Sequence, residues 1–173
     1  MIVVLMGYMG SGKSTIGRQL ATLLNYDFLD LDTFISEQEN TSISKLFQTK
    51  GEIYFRKKEA LFLREILNSN SHLILALGGG TPCYGNNLQY LINHSKVQLF
   101  YLKLSIPQLA ERLFKEKDKR PLISHLKTKE ALTEFIGKHL FERSPYYNEA
   151  KYIINSDFKS QDEILKQIHH FLI

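Results

Sequence analysis

Cysteine is scarce in this sequence, since Cys83 is the only one among 173 residues. A lone cysteine excludes an intrachain disulfide. Long hydrophobic runs are also missing, because no apolar stretch approaches the roughly 18 to 20 residues that cross a bilayer. The first residues, MIVVLMG, lack the basic segment and the small-residue cleavage site of a secretory signal. These absences predict a cytoplasmic protein with no membrane partner.

A strong charge of either sign is missing too. The 22 lysines and arginines stand against 18 acidic residues, which leaves a net charge of +4. This mild surplus suits an anionic small molecule as well as a nucleic acid. Hydrophobic residues make up 43% of the chain and charged residues 23%, close to the average of soluble globular proteins, which excludes a disordered chain. The length favours one domain over residues 1–173, and the six histidines show no metal-ligand spacing.

Short apolar runs alternate with longer helical patterns along the chain. The runs cover residues 2–6, 26–29, 73–77, 97–102 and 152–154. Their nearly continuous hydrophobicity is typical of parallel strands that are covered on both faces. Helical spacing covers residues 13–24, 41–68, 87–93, 106–117, 129–146 and 161–172. This alternation predicts an α/β fold, a three-layer α/β/α sandwich around a five-stranded parallel sheet.

The most specific motif follows the first predicted strand directly. Residues 7–15 read GYMGSGKST, which matches the phosphate-loop pattern GxxxxGK[ST] between a strand and a helix. Glycines let the backbone curl so that several N–H groups point at a polyphosphate, and the dipole of the next helix adds positive potential. Lys13 would reach the β- and γ-phosphates, and the Ser14 hydroxyl would bind Mg²⁺. The alternative is an ordinary glycine-rich turn.

Two carboxylates, Asp30 and Asp32, end the second predicted strand. They lie at the carboxyl edge of the sheet, where open α/β sheets bind their ligands. One could hold the metal and the other a substrate hydroxyl. Alternatively, one of them caps the helix that follows, and both roles can hold together.

Arginine is used sparingly, with six residues against sixteen lysines. Arg56 precedes Glu59 by three positions, so the two lie on the same face of a helix, where the carboxylate could orient the guanidinium. The alternative is an exposed helical ion pair. Arg120 and Arg143, in the motifs RPL and RSPYY, would each be an ordinary surface charge if taken alone.

A second glycine loop, residues 78–80, follows the third predicted strand. Three glycines offer bare backbone to a group that approaches closely. The alternative is a mobile turn.

Taken together, these motifs resemble the shikimate kinase family, a group of P-loop small-molecule kinases related to the nucleoside-monophosphate kinases. The resemblance covers nearly the whole chain. It is carried by GxxxxGKST at residues 7–15, DxD at 30–32, GExxFRxxE at 51–59, GGG at 78–80, RPL at 120–122 and RxPxY at 143–147.

The resemblance implies transfer of the ATP γ-phosphate to the 3-hydroxyl of shikimate in aromatic amino-acid (chorismate) biosynthesis. The implied catalytic residues are Lys13, Asp32 and Arg120. ATP binding is implied for Gly10, Ser11, Gly12, Lys13, Ser14, Thr15 and Arg120, and substrate binding for Asp32, Arg56, Gly78, Gly79, Gly80 and Arg143. Ser14 and Asp30 would support Mg²⁺, the implied cofactor. The implied partners are ATP and shikimate, without nucleic acid, and the implied state is a monomer.

Some positions fit the family pattern less directly. Adenine contacts would fall to Arg112, one residue out of the simplest register, and to residues 155–160. Cys83 could be a reactive thiol, but a small residue packed beneath the glycine loop is the favoured interpretation. Another polyol-acid kinase of the same fold, such as a gluconate kinase, is the nearest alternative function. A GTPase-like switch and a nucleic-acid binder are more remote, since no guanine-reading NKxD motif is present.

The resemblance also implies a lid at residues 115–129, which would contain Arg120, and the excess positive charge of the chain is concentrated there. This segment carries six basic and two acidic residues, so its surplus equals the net charge of the whole chain. The remainder is formally neutral. The sequence thus predicts a cationic lid over anionic small molecules.

Overall fold

The fold was described from a computed structural model that covers the backbone of residues 1–173 and every side chain except that of Lys119. Five parallel strands form one sheet: β1 (Ile2–Met6), β2 (Asp27–Asp30), β3 (Leu73–Ala76), β4 (Val97–Lys103) and β5 (Tyr152–Asn155). Their order in the sheet is β2-β3-β1-β4-β5. The predicted α/β class and the five parallel strands are confirmed, and the strand bounds shift by no more than one residue at either end.

Seven α-helices connect the strands: α1 (Lys13–Leu24), α2 (Leu31–Gln38), α3 (Ile43–Ser69), α4 (Asn87–Asn93), α5 (Ile106–Glu116), α6 (Lys129–Tyr147) and α7 (Gln161–Leu172). Six agree with the predicted ranges within two residues. The prediction for α3 was wrong in one respect, because Gly51 has φ 81° and ψ 169° and interrupts the helix. The helix that was expected to follow the DxD motif is α2. It begins at Leu31, inside the motif.

The core has two layers of side chains because β1 is buried on both faces. Its residues Ile2, Val4 and Met6 pack into a cluster with α3, α5 and α6, while Val3 and Leu5 pack with α1 and α7. Successive residues of a strand point to opposite faces. The helices therefore cover both faces, as the three-layer prediction requires. No helix of the part described here is long and apolar enough to span a membrane.

The strand order reverses around β1, which lies between β3 and β4. Ligand sites in open α/β sheets form at such a switch point, outside the carboxyl ends of the strands. The chain segments that leave β1, β2 and β3 are the phosphate loop, the pair Asp30 and Asp32, and the triple glycine. The topology thus brings three separate motifs to one edge.

Candidate active site

The phosphate loop curls around the side chain of Lys13. Gly10 and Gly12 have φ of 79° and 95°, in the left-handed region that favours glycine. Lys13 is buried, and its Nζ donates hydrogen bonds to the carbonyl oxygens of Gly7 at 2.9 Å and Tyr8 at 3.0 Å. Burial lowers the pKa of this ammonium to about 8, although Asp32 and Asp30 oppose the shift. Lys13 is therefore held in place before any phosphate arrives.

Asp30 performs two tasks at once. Its Oδ1 accepts hydrogen bonds from the backbone N–H groups of Asp32 at 3.1 Å and Thr33 at 3.3 Å, which caps the N-terminus of α2. Its Oδ2 accepts a hydrogen bond from Ser14 Oγ at 2.6 Å. The helix-cap interpretation is thus confirmed without removing Asp30 from the phosphate loop.

The same pair matches the chemistry of Mg²⁺, which takes hard oxygen ligands. Ser14, in the first turn of α1, and Asp30, at the N-cap of α2, provide a hydroxyl and a carboxylate beside the phosphate loop. Among the side chains described, no cluster of three acidic, histidine or cysteine residues could hold a metal alone.

Asp32 lies where two cavities meet. The larger, of about 420 Å³, is lined by the phosphate loop, Arg112 and Arg120. The smaller, of about 180 Å³, lies against Arg56 and Arg143. Both cavities are lined by Met9, Asp32, Gly78 and Gly79. A group that bridges the two cavities therefore passes Asp32 and the glycine loop.

The environment of Asp32 disfavours its charged form. Burial raises the pKa of this carboxyl to about 6, and the nearby carboxylates of Asp30 and Glu59 add to the shift. Lys13 and Arg56 act in the opposite direction. A carboxyl with this pKa is ionised near neutral pH, yet is more basic than an ordinary aspartate, as a general base requires.

The guanidinium of Arg56 is fixed by a buried carboxylate. Its Nη1 lies 2.8 Å from Glu59 Oε2, and Glu59 is only 1% exposed. The other oxygen of Glu59 accepts a hydrogen bond of 2.6 Å from the Thr81 hydroxyl. The guanidinium carbon also lies 3.7 Å from the centre of the Tyr84 ring. The alternative of an exposed ion pair is therefore excluded.

The triple glycine is required because charged side chains lie close to its backbone. A Cβ atom built on Gly78 would lie 2.6 Å from Asp32 Oδ1, and one on Gly80 would lie 2.8 Å from an Arg56 Nη atom. The same atom on Gly79 would be 3.6 Å from Arg143 Nη1. A side chain at Gly78 or Gly80 would displace a charged group, so these glycines create room for the site.

Apart from Lys119, the charged residues of the lid are partly or fully exposed. Arg120 Nη2 lies 2.8 Å from Glu116 Oε2, and the two side chains are 34% and 53% exposed. Arg120 Nε is buried without a hydrogen-bond partner among the described atoms. Ile123 is fully buried in the core cluster. The segment is thus anchored by Ile123, with Leu126 packed against the same cluster, while Arg120 faces the larger cavity.

The adenine contacts predicted for Arg112 and for residues 155–160 remain predictions. Arg112 lines the larger cavity, and its Nη1 donates to the Gly10 carbonyl at 3.4 Å. In the loop at residues 155–160, Asp157 Oδ1 accepts a hydrogen bond from the Ser105 N–H at 2.9 Å. Cys83 packs against the core, and burial raises the pKa of its thiol to about 11, which favours the packing role.

Two residues at the site escaped sequence reasoning. Thr81 directly follows the triple glycine and holds Glu59. Tyr147 ends the RxPxY motif and donates a hydrogen bond to the Gly79 carbonyl. The motif position of Tyr147 was visible in the sequence, but its partner lies 68 residues away, and no local pattern identifies such a contact.

The cavity at the phosphate loop and the cavity at Arg56 and Arg143 are both lined by the Asp32 carboxylate. This arrangement defines a P-loop phosphotransferase that acts on a small molecule. The family model described as shikimate kinase matches residues 9–173 of the chain. The chain belongs to the shikimate kinase family, and it is an enzyme, a kinase.

Individual relatives agree with this assignment. The shikimate kinase of Flavobacterium psychrophilum is 45% identical over 170 residues, which cover 98% of each chain. The crystal structure of the shikimate kinase from Bacteroides thetaiotaomicron superposes with a TM-score of 0.92 at 31% identity, covering 99% of this chain and 98% of that one. The Acinetobacter baumannii enzyme in complex with shikimate gives 0.85 at 31% identity, with 99% and 92% covered.

Proposed function

We propose that this protein transfers the γ-phosphate of ATP to the 3-hydroxyl of shikimate, giving shikimate 3-phosphate for aromatic amino-acid synthesis. The observation that carries the proposal is the junction of the two cavities at Asp32. ATP occupies the larger cavity, and shikimate occupies the smaller one. The relative whose structure holds shikimate supports this choice of substrate.

The substrate carboxylate is bound by Arg56 and Arg143. Two planar guanidinium groups suit a carboxylate because each can donate paired hydrogen bonds. The ring hydroxyls face Asp32 and the backbone of the triple glycine, which provide an acceptor and donors, respectively. This arrangement fixes the ring by its acidic end and presents one hydroxyl at the cavity junction.

The transfer itself makes few covalent demands on the protein. The substrate oxygen forms a bond to the γ-phosphorus while the bond from that phosphorus to the bridging oxygen breaks, and ADP leaves. The Asp32 carboxylate accepts the proton of the attacking hydroxyl. Lys13 and Arg120 stabilise charge on the migrating phosphoryl group, together with the backbone of Gly10, Ser11, Gly12 and Thr15.

Mg²⁺, held by Ser14 and through Asp30, would neutralise charge on the ATP phosphates when bound. Closure of the lid at residues 115–129 would exclude water from the transfer. We propose that the chain does this as a single-domain monomer in the cytoplasm. A lid that accounts for the entire net charge suits anionic small molecules rather than nucleic acid.

A coupled assay of ADP formation tests the substrate. Shikimate and gluconate are offered separately with ATP and Mg²⁺, with Asp32→Asn as the control variant. We expect turnover with shikimate, no comparable turnover with gluconate, and loss of the signal in Asp32→Asn. Turnover with gluconate alone, or with neither acid, would refute the proposed function.

A further inference from the structure

Tyr147 links the end of α6 to the glycine loop. Its side chain is fully buried, and its hydroxyl donates a hydrogen bond of 2.5 Å to the Gly79 carbonyl. Burial raises the pKa of this hydroxyl well above its usual value. The group therefore remains a protonated donor over the whole working pH range.

The Gly79 carbonyl belongs to the same peptide group as the Gly80 N–H. In a trans peptide these two groups point in opposite directions, and no peptide bond of the chain is cis. A carbonyl held toward Tyr147 thus directs the Gly80 N–H away from α6. Within the described structure, neither the Gly79 nor the Gly80 N–H has a hydrogen-bond acceptor.

Both glycines line the smaller cavity beside Arg56 and Arg143. Glycine turns can adopt many backbone conformations, so an external contact is needed to select one. Tyr147 provides that contact, because its ring is held in the core beside Tyr101, with ring centres 5.0 Å apart. The Gly80 N–H is therefore oriented by a residue that does not line the cavity itself.

We infer that Tyr147 is a positioning residue, which fixes the Gly79–Gly80 peptide group so that its N–H is presented to a substrate oxygen. The inference rests on the proposed function, since it requires a hydroxylated acid in the smaller cavity. A purely structural tyrosine would need only its ring, whereas a positioning tyrosine needs its hydroxyl.

The test compares Tyr147→Phe with a matched control, Tyr101→Phe. Tyr101 is a buried neighbour whose hydroxyl makes no hydrogen bond to any described residue. We expect Tyr147→Phe to raise the KM for shikimate about 3- to 10-fold, the effect of one lost hydrogen bond. The KM for ATP should match that of Tyr101→Phe.

An unchanged KM for shikimate in Tyr147→Phe would overturn the inference, as would a parallel change in the KM of both substrates with a lower melting temperature. Wild-type protein that fails to turn over shikimate in the same assay would instead refute the proposed function.

A second measurement needs no variant. In wild-type protein labelled with ¹⁵N-glycine, the amide signals of Gly79 and Gly80 should shift on addition of shikimate. If neither signal shifts under conditions where shikimate is turned over, the inference is wrong.

Discussion

The two ends of the active site hold their arginines in opposite ways. At the substrate end, Arg56 pairs with Glu59, which is 1% exposed and is held from its other side by Thr81. In the lid, Arg120 pairs with Glu116, and these side chains are 34% and 53% exposed. A buried pair resists separation because each charge would be left without compensation, whereas an exposed pair is weak. The substrate end is built before its ligand arrives, while the lid arginine is free to exchange Glu116 for a phosphate.

The largest effect is expected where the two ends meet. Asp32→Asn keeps the shape of the side chain but removes the proton acceptor, so kcat should fall about 10²- to 10⁴-fold. Steady-state assays with shikimate and ATP measure it, with Asp27→Asn as the control because Asp27 is exposed at the start of β2, the strand that leads to Asp32. Activity within a factor of about three of wild type would remove Asp32 from the chemistry.

Removing the lid cation should have the next largest effect. Arg120→Ala should lower kcat about 30- to 900-fold, corresponding to about 2 to 4 kcal/mol of transition-state stabilisation. The reduction in turnover should be at least as large as the loss of ATP affinity. The exposed lid residue Lys127 gives the matched control, Lys127→Ala. Unchanged kcat in purified Arg120→Ala would contradict the role of this arginine.

The two ion pairs should differ in stability when one partner is neutralised. Glu59→Gln leaves the partly buried Arg56 paired only with the exposed Glu52, at 3.4 Å, and should lower the free energy of unfolding by about 2 to 3 kcal/mol. Glu116→Gln should lower it by less than about 0.5 kcal/mol. Urea denaturation of both variants measures the contrast. Equal losses in the free energy of unfolding would contradict the difference between the ion pair at the substrate end and the ion pair in the lid.

The pH dependence of kcat/KM should reflect the ionisation of Asp32 and Lys13. Because the proposed mechanism needs an ionised Asp32, whose pKa is about 6, kcat/KM should fall about tenfold per pH unit below that value. Above about 8, Lys13 loses its proton, and kcat/KM should fall again. The lower limb should be absent from the residual activity of Asp32→Asn, and a limb that persists there would assign the titration to another group.

Ionisation of Asp32 should lower the stability of the folded protein, whereas ionisation of an ordinary ion-paired aspartate raises it. Burial raises the pKa of Asp32 in the folded protein above that of an ordinary aspartate, so ionisation opposes folding. This destabilisation is absent below pH 4 and complete above about 6. Asp32→Asn should therefore unfold at a higher temperature than wild type at pH 7, and the difference should vanish in acid.

The parts of the fold that follow local patterns could be predicted from the sequence. Parallel strands buried on both faces must be apolar throughout, so the runs around β1, β3 and β4 were visible. The phosphate loop was visible for a similar reason, since its glycines and Lys13 are adjacent in the chain. Fold class and the edge of the sheet that carries the site followed from these two patterns.

The remaining features depend on contacts between distant residues. The helical pattern of α3 continues across Gly51, so only the backbone reveals the interruption. Thr81 reaches Glu59 across 22 residues, and Tyr147 reaches Gly79 across 68. Such partners are brought together by the packing of whole elements, and neither composition nor spacing records them.

The contrast between the two ends is tested most directly by calorimetric titration of shikimate into nucleotide-free protein. A substrate end that is built in advance should bind shikimate without ATP, and Arg120→Ala should bind it with a Kd within about twofold of wild type, since the lid arginine lies on the nucleotide side. Loss of detectable binding without nucleotide, or a Kd about tenfold weaker in Arg120→Ala, would contradict this division of the site.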